Sequence, residues 1–486
     1  MKTVRIFFLV LLALASACTC NRPAPDVPVT PDPVPDPAKV AKVYTTTASG
    51  TKLMAESEIT LGKPEDAVFY KVERSGERFQ AVDGFGLAIT QASCYNLLLM
   101  PDSDRTAFLT EMFSRKEGLG SSLVRVCIGG SDFSMDEFTW CDRKGIENFD
   151  VHPLDEEYLF PILDQIFQIN PDVKIIASPW SCPKWMKMTE NGGAPYDSWT
   201  GGRLNPVYYQ DYATYFVKWI QEMERRGYPI YAVTLQNEPL HRGNSMSLYM
   251  PWEDQRDFIK QAVGPAFQEA GLKTKILVYD HNYDVTDYTV KLFSDAEVSQ
   301  YVAGSAWHNY LGSVSALDRI YSAFPDKDIY FTEASIGTWN YNYASCLVND
   351  FRDIFLGTLS RGGKGVTLWN LMLDDERKPY RPGGCSTCFG AVTLSSKDHK
   401  TMVRNSHYYN VAQCSKVLLP GAVRLGTSGY KAEGLTYQWY SNPDGSQALL
   451  LLNEGQADAL VNFVTDKSSV SCKVPAKAIQ SVLWTD

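Results

Sequence analysis

Two glutamates that each follow an apolar segment are the residues in this chain best suited to chemistry. Glu238 follows the apolar, β-branched segment 231–235 and precedes Pro239, and Glu333 follows the apolar segment 329–332. Such segments are typical of buried strands, and catalytic groups lie at the carboxyl ends of the strands in a (β/α)8 barrel. Two facing carboxyl groups could act as the acid/base and the nucleophile, or second base, of glycoside hydrolysis. The alternative for either glutamate is a salt bridge or a place beside a helix N-cap.

The elements around these glutamates alternate between strand and helix from about residue 79 to residue 405. This alternation predicts an α/β fold, a (β/α)8 TIM barrel. A doubly wound open sheet is the alternative, but no glycine-rich phosphate loop follows the first predicted strand. The eight predicted strands are 82–90, 122–128, 173–180, 232–237, 275–279, 302–310, 329–333 and 366–371. The predicted helices include 104–113, 154–169, 206–224, 253–270 and 348–360.

All-β patterns lie on both sides of this region. Before it, strands are predicted at 43–47 and 68–72, with turns at 48–50 and 75–76. From about residue 406 the pattern is again all-β, with strands at 422–425, 435–440, 448–453, 459–464 and 479–484. We therefore expect residues 39–78 and 406–486 to form one β-sandwich side domain beside the barrel of residues 79–405.

The first 38 residues have the pattern of an export signal and a spacer. Lys2 and Arg5 precede an apolar run at 6–14, and small residues precede Cys18. This pattern predicts a lipoprotein signal peptide at residues 1–17 and a lipid on Cys18, with an ordinary secretory signal as the alternative. Residues 18–38 form a proline-rich tether. We expect an exported lipoprotein in the outer membrane of a Gram-negative-type bacterium, facing the periplasm or the cell surface.

Composition excludes several classes of partner. The net charge of −10 and the pI of about 5.3 argue against nucleic acid. Apart from the signal, no apolar run approaches the roughly 20 residues of a membrane span, so the lipid would be the only membrane contact. Cys385 and Cys388 have CxxC spacing, but the absence of a second CxxC or a nearby histidine pair favours a loop disulfide or free thiols over zinc. We expect a monomer without metal or cofactor.

Polar and aromatic residues also end other predicted strands. They are Arg125, Trp180, His308, Tyr310 and Trp369, and a barrel would bring them to one mouth. Four of them have a structural alternative: an ion pair inside the barrel for Arg125, and a buried core position for His308 and for either tryptophan.

An ordered set of motifs across residues 83–370 resembles glycoside hydrolase family 30, the family of lysosomal glucosylceramidase and of β-1,6-glucanases. The motifs are Asp83–Gly86, Val124–Val126, Ser131–Ser134, Ala177–Trp180, Tyr215–Lys218, Gln236–Pro239, Gln255–Phe258 and Thr332–Ala334. The resemblance implies a barrel with a β-sandwich side domain and hydrolysis of a β-glycoside with retention of configuration.

The resemblance also implies roles for individual residues. Glu238 matches the acid/base and Glu333 the nucleophile, so we expect burial or a neighbouring anion to raise the pKa of Glu238 and Arg125 to keep Glu333 ionised. The matching substrate-binding residues are Asn237, at the sugar 2-hydroxyl; Asp132, Trp180 and Trp369, at the outer hydroxyls; and Arg125, His308 and Tyr310, around the two glutamates.

The resemblance points to glucose rather than xylose in the main subsite, because Asp132, Trp180 and Trp369 are present. An aromatic rim at 191–202, with Tyr196 and Trp199, suits a soluble polysaccharide, so β-1,6-glucan is the expected substrate. A β-glucosidase or glucosylceramidase-like exo-hydrolase is the alternative, and endo or exo action stays open. A non-catalytic glycan-binding lipoprotein is the hypothesis from another class, and the presence of both glutamates argues against it.

Overall fold

A computed structural model describes residues 39–486, and its centre is a closed barrel of eight parallel strands. The predicted signal peptide, the tether and Cys18 lie outside the described residues. In chain order the barrel strands are β1 (Gly84–Leu87), β2 (Leu123–Cys127), β3 (Lys174–Ser178), β4 (Ile230–Thr234), β5 (Lys275–Asn282), β6 (Gly304–His308), β7 (Asp328–Glu333) and β8 (Gly363–Leu368).

Neighbouring strands pair in sequence order around the barrel, and β8 pairs with β1. The ring closes between β1 and β2, where the Ile89 N–H donates to the Arg125 carbonyl at 2.8 Å. All eight strands overlap the predicted segments, and the predicted TIM barrel is confirmed. The open sheet is excluded, since a doubly wound sheet has two free edges.

Helices cover the outside of the barrel. They include Asp102–Phe113, Phe160–Ile169, Tyr209–Arg225, Trp252–Phe258, Gly264–Glu269, Thr286–Ser294, Ala316–Ala323, Tyr343–Asp350 and Gly357–Ser360. Three predicted helices contain a wider π-helical turn, at Asp155–Leu159, Ile259–Val263 and Phe351–Leu356. Helix Tyr209–Arg225 shows why these segments are helical, because Tyr212, Phe216, Trp219 and Met223 recur at helical spacing and are all buried against the barrel.

The side domain uses strands from both chain ends, as expected. Its nine strands follow the order Ala55–Thr60, Val40–Thr47, Ala478–Trp484, Gln447–Asn453, Leu435–Ser441, Val423–Gly429, Lys71–Ala81, Ala459–Val464 and Ser469–Val474. Apolar side chains such as Val43, Trp439, Leu451 and Phe463 are fully buried between the two halves of this curled sheet.

Two expectations about the side domain were wrong at its first strands. The predicted strand at 68–72 begins only at Lys71, while Val68 and Phe69 are each 72% exposed. The predicted turn at Ser75–Gly76 lies inside the strand Lys71–Ala81. Gly76 has a φ of +88°, and the register with strand Val423–Gly429 shifts nearby, so the glycine produces a bulge and not a chain reversal.

The expectation of an all-β region from residue 406 was also wrong at its start. Residues Ser406–Ser415 form a helix, every residue of which is buried, because it packs between β1 and the side-domain strands. Strands Ala55–Thr60 and Ser469–Val474 were not predicted, since charged or small polar residues alternate through both.

Three layers fill the barrel interior. The middle layer is apolar and fully buried, and it consists of Leu123, Ile176, Ala232, Leu277, Ala306 and Tyr330. Below it, where the strands begin, lies the barrel floor: Asp83, Lys174, Tyr231, Lys275, Asp328 and Lys364. Above it lies the barrel mouth, which contains the candidate site. Among residues 39–486, no helix has the length and apolar character to cross a membrane.

Candidate active site

The two glutamates meet at the barrel mouth. Glu333 is the last residue of β7, and Glu238 follows β4 in a sharp turn with a φ of +45°. The Glu238 N–H donates to the Asp280 carbonyl at 3.0 Å, which fixes this turn against β5. A carboxylate oxygen of Glu238 and one of Glu333 lie within 4.8 Å of each other. This separation is close to the roughly 5 Å that a retaining glycosidase uses.

Arg125, on β2, connects the two halves of the mouth. Its guanidinium is fully buried and donates to Glu333 Oε2 at 2.6 Å, to Asp280 Oδ2 at 2.8 Å and to Asn237 Oδ1 at 2.7 Å. Arg125 therefore forms an ion pair inside the barrel, as the structural alternative expected, and one of its partners is Glu333. Burial opposes its charge, but the Asp280 and Glu333 carboxylates raise the pKa of Arg125, so it is a permanent cation.

Asp280 and His308 form a second chain of contacts, which reaches Glu238. His308 is fully buried, with Nε2 at 3.1 Å from Asp280 Oδ1 and Nδ1 at 3.1 Å from Glu238 Oε1. Burial lowers the pKa of His308, but the charges of Glu333, Asp280 and Glu238 outweigh it and raise this pKa to about 9. His308 is therefore an imidazolium at neutral pH that donates to two carboxylates.

The pKa shifts of the two glutamates are opposite to those expected. Burial raises the pKa of Glu333, although His308 and Arg125 act to lower it. Burial also acts on Glu238, but the hydrogen bond and the charge of His308 leave the pKa of Glu238 below its ordinary value. The expectation of a raised pKa at Glu238 was therefore wrong, because the imidazolium lies beside Glu238.

Tyr310 lies beside the nucleophile candidate. Its hydroxyl donates to Glu333 Oε1 at 3.0 Å and lies 3.0 Å from Ser335 Oγ. Its own N–H donates to Asn282 Oδ1 at 3.0 Å, so the end of β5 holds the segment after β6 in place. Arg125 and Tyr310 thus give Glu333 two donors, one for each carboxylate oxygen.

An aromatic wall lies next to the two glutamates. The rings of Trp180 and Trp369 stack with centroids 5.1 Å apart, and Phe133 meets Trp369 edge-on at 5.9 Å. The Arg125 guanidinium lies 5.0 Å from the Trp180 ring centroid, which places the wall directly beside the charged groups. The two indoles are only 2% and 3% exposed, so they form a buried apolar wall beside the charged groups.

Asp132 is the buried acid of this wall. Its Oδ1 is buried without a hydrogen-bond partner among the described residues. Burial, followed by the charge of Glu333, raises the pKa of Asp132 to about 8. A neutral carboxyl with a free oxygen can both donate to and accept from a sugar hydroxyl. The Arg381 N–H donates to the Asp132 carbonyl at 2.8 Å, and so the loop after β8 closes over this residue.

All nine predicted site residues of the barrel come together at the mouth. Residues that the sequence analysis missed are Asp280, which accepts from Arg125 and His308, and Ser178, Thr234 and Thr332, whose hydroxyls donate to Asp280 at 2.7 Å. Strand five was predicted to end at Tyr279, although the polar run Asp280-His281-Asn282 follows directly. This polar run could have revealed Asp280, since polar residues also end the other predicted strands that supply the site.

The same cluster has the donor atoms of a metal site, but they are engaged with one another. Glu238, His308 and Glu333 each offer one donor atom within 4.8 Å of the others. Both ring nitrogens of His308 are already directed at carboxylates, and an imidazolium has no free lone pair for a metal. The CxxC pair, Cys385 and Cys388, forms a disulfide in the loop after β8.

Comparison with known proteins finds similarity to one glycosyl hydrolase family over both the barrel and the side domain. A model of the glycosyl hydrolase family 30 TIM-barrel domain matches residues 82–418, and a model of that family's β-sandwich domain matches residues 421–482. The endo-1,6-β-D-glucanase BGN16.3 of Trichoderma harzianum is 31% identical over 423 residues, which cover 82% of this chain and 83% of that relative. The lysosomal acid glucosylceramidase of Mus musculus is 25% identical over 436 residues, with 84% and 82% covered. The solved structure of the endo-β1,6-glucanase BT3312 is 48% identical, with a TM-score of 0.89, and covers 92% of this chain and 100% of its own.

Proposed function

Because this chain belongs to glycosyl hydrolase family 30, we propose that it is a retaining, endo-acting hydrolase of β-1,6-glucan. The choice of substrate is supported by the near full-length similarity to the endo-β1,6-glucanase BT3312. The retaining mechanism is supported by the pair of carboxyl groups of Glu238 and Glu333, which have oxygens within 4.8 Å of each other. That gap accommodates direct attack by one carboxylate and leaves too little space for a water on the opposite face of the sugar.

In the first step, a carboxylate oxygen of Glu333 forms a bond to the anomeric carbon of the glucose unit. The bond from that carbon to the glycosidic oxygen breaks, and the departing oxygen takes its electron pair and the proton of Glu238. Tyr310 and Arg125 hold the two Glu333 oxygens in place for this attack. The product is a glucosyl ester of Glu333 and a shortened glucan.

In the second step, Glu238 is an anion and removes a proton from a water molecule. The water oxygen bonds to the anomeric carbon, and the ester bond to Glu333 breaks with its electron pair on the carboxylate. Two inversions at one carbon give overall retention. The low pKa of Glu238 beside the His308 imidazolium suits this base role.

The first step requires the proton to be on Glu238, although burial raises the pKa of Glu333 and His308 lowers that of Glu238. Two carboxyl groups this close share protons, because two anions at short range repel each other. Arg125 and Tyr310 both donate to Glu333 and so favour its anion once the proton resides on Glu238. A sugar oxygen that accepts from Glu238 would favour the same arrangement. We propose that substrate binding moves the proton in this way.

The remaining residues hold the glucose unit. Asn237 Oδ1 accepts from Arg125, which leaves its amide NH2 group as a donor to the sugar 2-hydroxyl. Trp180 and Trp369 provide the stacking surface, and Asp132 provides a buried carboxyl for an outer hydroxyl. His308 acts through Glu238 and is a positioning residue.

Product analysis tests the substrate. The purified protein is incubated with β-1,6-, β-1,3- and β-1,4-glucans, an aryl β-glucoside and an aryl β-xyloside, and the products are separated by chromatography. We expect a series of β-1,6-linked oligosaccharides from the β-1,6-glucan and no polymer cleavage elsewhere. Glucose alone from the polymer would indicate an exo-hydrolase, and activity on the aryl β-glucoside without activity on β-1,6-glucan would indicate a glucosidase or glucosylceramidase-like enzyme.

We further propose that the chain is an outer-membrane lipoprotein held by a lipid on Cys18 and that its catalytic part is a monomer. The basis is the charged, apolar and small-residue pattern of residues 1–18. Cys18→Ser should release the protein from the membrane fraction and abolish incorporation of a labelled fatty acid. A variant that stays in the membrane fraction and still incorporates label would contradict the proposal.

A further inference from the structure

Lys187 is a buried lysine that faces backbone carbonyls. It is 1% exposed, and its ammonium donates to four carbonyl oxygens: Ser198 at 2.9 Å, Trp199 at 3.2 Å, Gly201 at 2.8 Å and Ser247 at 2.9 Å. Burial lowers the pKa of Lys187 to about 8, so the ammonium is the main form at neutral pH. Among residues 39–486, Lys187 has no carboxylate partner in a salt bridge. A buried cation without one is costly, and its place therefore requires a structural reason.

The four carbonyls belong to two segments that border the barrel mouth. Three come from the hairpin 187–204, whose ends pair as Lys187–Met188 with Arg203–Leu204. The fourth, that of Ser247, belongs to the segment 239–250, which begins directly after Glu238. Other contacts also join the segments: the Ser247 N–H donates to the Trp199 carbonyl and the Gly201 N–H to Ser247 Oγ, each at 2.9 Å. The Tyr249 N–H donates to the Gly202 carbonyl, and Arg242 Nε to Glu190 Oε2, each at 2.8 Å.

Both segments supply walls of the sugar site. Trp199 from the hairpin and Met246 from the other segment pack in one cluster with Trp180 and Trp369, the stacked indoles beside the glutamates. Lys187 binds the carbonyl of Trp199 and the carbonyl of Ser247, the residue that follows Met246. The ammonium thus lies behind the wall and not in the site.

Electrostatics explains why a cation is needed there. Four carbonyl dipoles that converge on one point repel each other, and an ammonium group offsets this repulsion with three N–H donors shared among four oxygens. A neutral side chain in place of Lys187 would remove the donor to the Gly201 and Ser247 carbonyls, whose bonds to Lys187 are buried. The two segments would then separate or admit water, and Trp199 and Met246 would lose their positions.

We propose that Lys187 is a positioning residue, which clamps the hairpin 187–204 to the segment 239–250 and so holds the aromatic wall of the glucan site. The inference rests on the proposed function for the identity of the sugar chain. Its effect is on substrate binding, because the clamp holds the wall and leaves Glu238 and Glu333 in place.

Lys187→Ala tests the clamp directly. We expect KM for a β-1,6-linked glucooligosaccharide to rise about tenfold with a smaller change in kcat, since displaced walls weaken binding more than chemistry. Ammonium or potassium ions should restore KM in this variant, because a small monovalent cation suits a cage of carbonyl oxygens. Tetramethylammonium, which is too large for the cage, should not restore it.

A matched control is Lys327→Met. Lys327 also donates to two backbone carbonyls, those of Ser299 at 2.8 Å and Val302 at 2.9 Å, but it precedes β7 at the opposite end of the barrel. KM should stay at the wild-type value. If Lys187→Ala does not fold, Ser247→Ala removes the bond from the Gly201 N–H to Ser247 Oγ, which joins the same two segments, and should raise KM to a smaller extent.

The proposal is overturned if folded Lys187→Ala keeps the wild-type KM, if its KM does not recover with ammonium or potassium, or if Lys327→Met shows the same rise. An unchanged KM in Ser247→Ala overturns it where Lys187→Ala does not fold. An aryl β-glucoside is assayed in parallel. If the wild-type protein cleaves only this compound, the proposed substrate is wrong, and KM for the aryl glucoside then decides the role of Lys187.

Discussion

The barrel floor, where the strands begin, and the barrel mouth, where they end, both contain ion pairs that join neighbouring strands. At the floor, Lys275 and Lys364 contact Asp328 at 2.7 and 2.6 Å, and Lys174 contacts Asp83. At the mouth, Arg125 contacts Asp280 and Glu333 at 2.8 and 2.6 Å. The floor pairs are partly exposed to solvent, whereas Arg125 and Asp280 are fully buried.

The balance of charge distinguishes the two ends. The floor has three lysines for two aspartates, so each carboxylate has at least one cation of its own. The mouth has two cations, Arg125 and His308, for four carboxyl groups: Asp132, Glu238, Asp280 and Glu333. The surplus of carboxyl groups forces some of them to hold protons at neutral pH, as proton transfer to a glycosidic oxygen requires.

The pKa shifts follow this balance. Burial acts to raise the pKa of Asp83 at the floor, but Lys174 and the hydroxyls of Tyr330 and Tyr231 hold it below its ordinary value. At the mouth, burial raises the pKa of Asp132 to about 8 and also raises that of Glu333. Asp83 at the floor is thus an anion and Asp132 at the mouth a carboxylic acid. Asp280, also at the mouth, is an anion, because Arg125 and His308 outweigh its burial and hold its pKa well below the ordinary value.

The backbone is also more strained at the mouth than at the floor. At the mouth, Asp280 near the end of β5 and Glu238 and Asn370 after β4 and β8 have positive φ of 68°, 45° and 74°. Among residues 39–486, no non-glycine residue that begins a barrel strand has positive φ. Strain of this kind persists where the surroundings hold it, and it collects where side chains must point at a substrate.

The largest contrast between the two ends should come from Glu333→Gln and Asp328→Asn. Glu333→Gln removes the nucleophile, so kcat for a glucan or an aryl β-glucoside should fall by about 10⁴-fold or more while the melting temperature is unchanged or higher. Asp328→Asn should leave kcat within about twofold and lower the melting temperature, because Lys275 and Lys364 lose their anion. Near wild-type kcat in folded Glu333→Gln would show that Glu333 is not the nucleophile.

Removal of a cation should cost more at the mouth than at the floor. Arg125→Met leaves Asp280 and Glu333 buried without their shared cation, and the free energy of unfolding should fall by about 3–5 kcal/mol. Lys174→Met, at a partly exposed pair, should cost only about 1 kcal/mol. Urea denaturation of both variants measures this difference. Equal losses would mean that burial does not distinguish the two ends.

Asp132→Asn should improve stability while it damages activity. The pKa of Asp132 is raised in the folded protein, so its contribution to stability is complete below its unfolded value and is lost as the pH rises through about 8. At pH 7 the substitution should therefore raise the free energy of unfolding by about 1–3 kcal/mol, with no gain near pH 3. Asp83→Asn at the floor should show the opposite sign at pH 7, and a loss of stability in both variants would contradict the comparison.

The smallest expected effect is a shift of the pH profile in His308→Asn. The imidazolium lowers the pKa of Glu238 and opposes the raised pKa of Glu333, so its loss should raise both values. Both limbs of the profile of kcat/KM against pH should then move to higher pH. A profile that moves to lower pH, or does not move, would show that His308 is not the cation that sets these values.

Much of the mouth could be predicted from the sequence, because parallel strands carry their last residues to one place. Apolar segments that end in polar residues located Glu238, Glu333, Arg125 and His308 without any knowledge of packing. Asp280 was missed because strand five was predicted to end at Tyr279, three residues before its actual end at Asn282. The direction of the pKa shift at Glu238 was missed because it depends on the 3.1 Å contact with His308, which no spacing along the chain reveals.

The side domain was harder to predict for a different reason. Its strands pair over long sequence separations, so local patterns decide less than tertiary contacts. Val68–Tyr70 have the sequence of a buried strand but lie outside the sheet. Gly76 was predicted to lie in a turn but forms a bulge within a strand. The helix Ser406–Ser415 is buried along its whole length and therefore has no amphipathic period to detect.

The central claim is that Glu333 attacks the sugar while Glu238 serves as acid and base. The most direct measurement is to trap the intermediate with a 2-deoxy-2-fluoro-β-glucoside that has a good leaving group, and to locate the added mass by peptide mapping. We predict one fluoroglucosyl group per chain, attached to Glu333 and absent from Glu333→Gln. A label on another residue, or rapid turnover of the wild-type protein without any covalent adduct, would contradict the account.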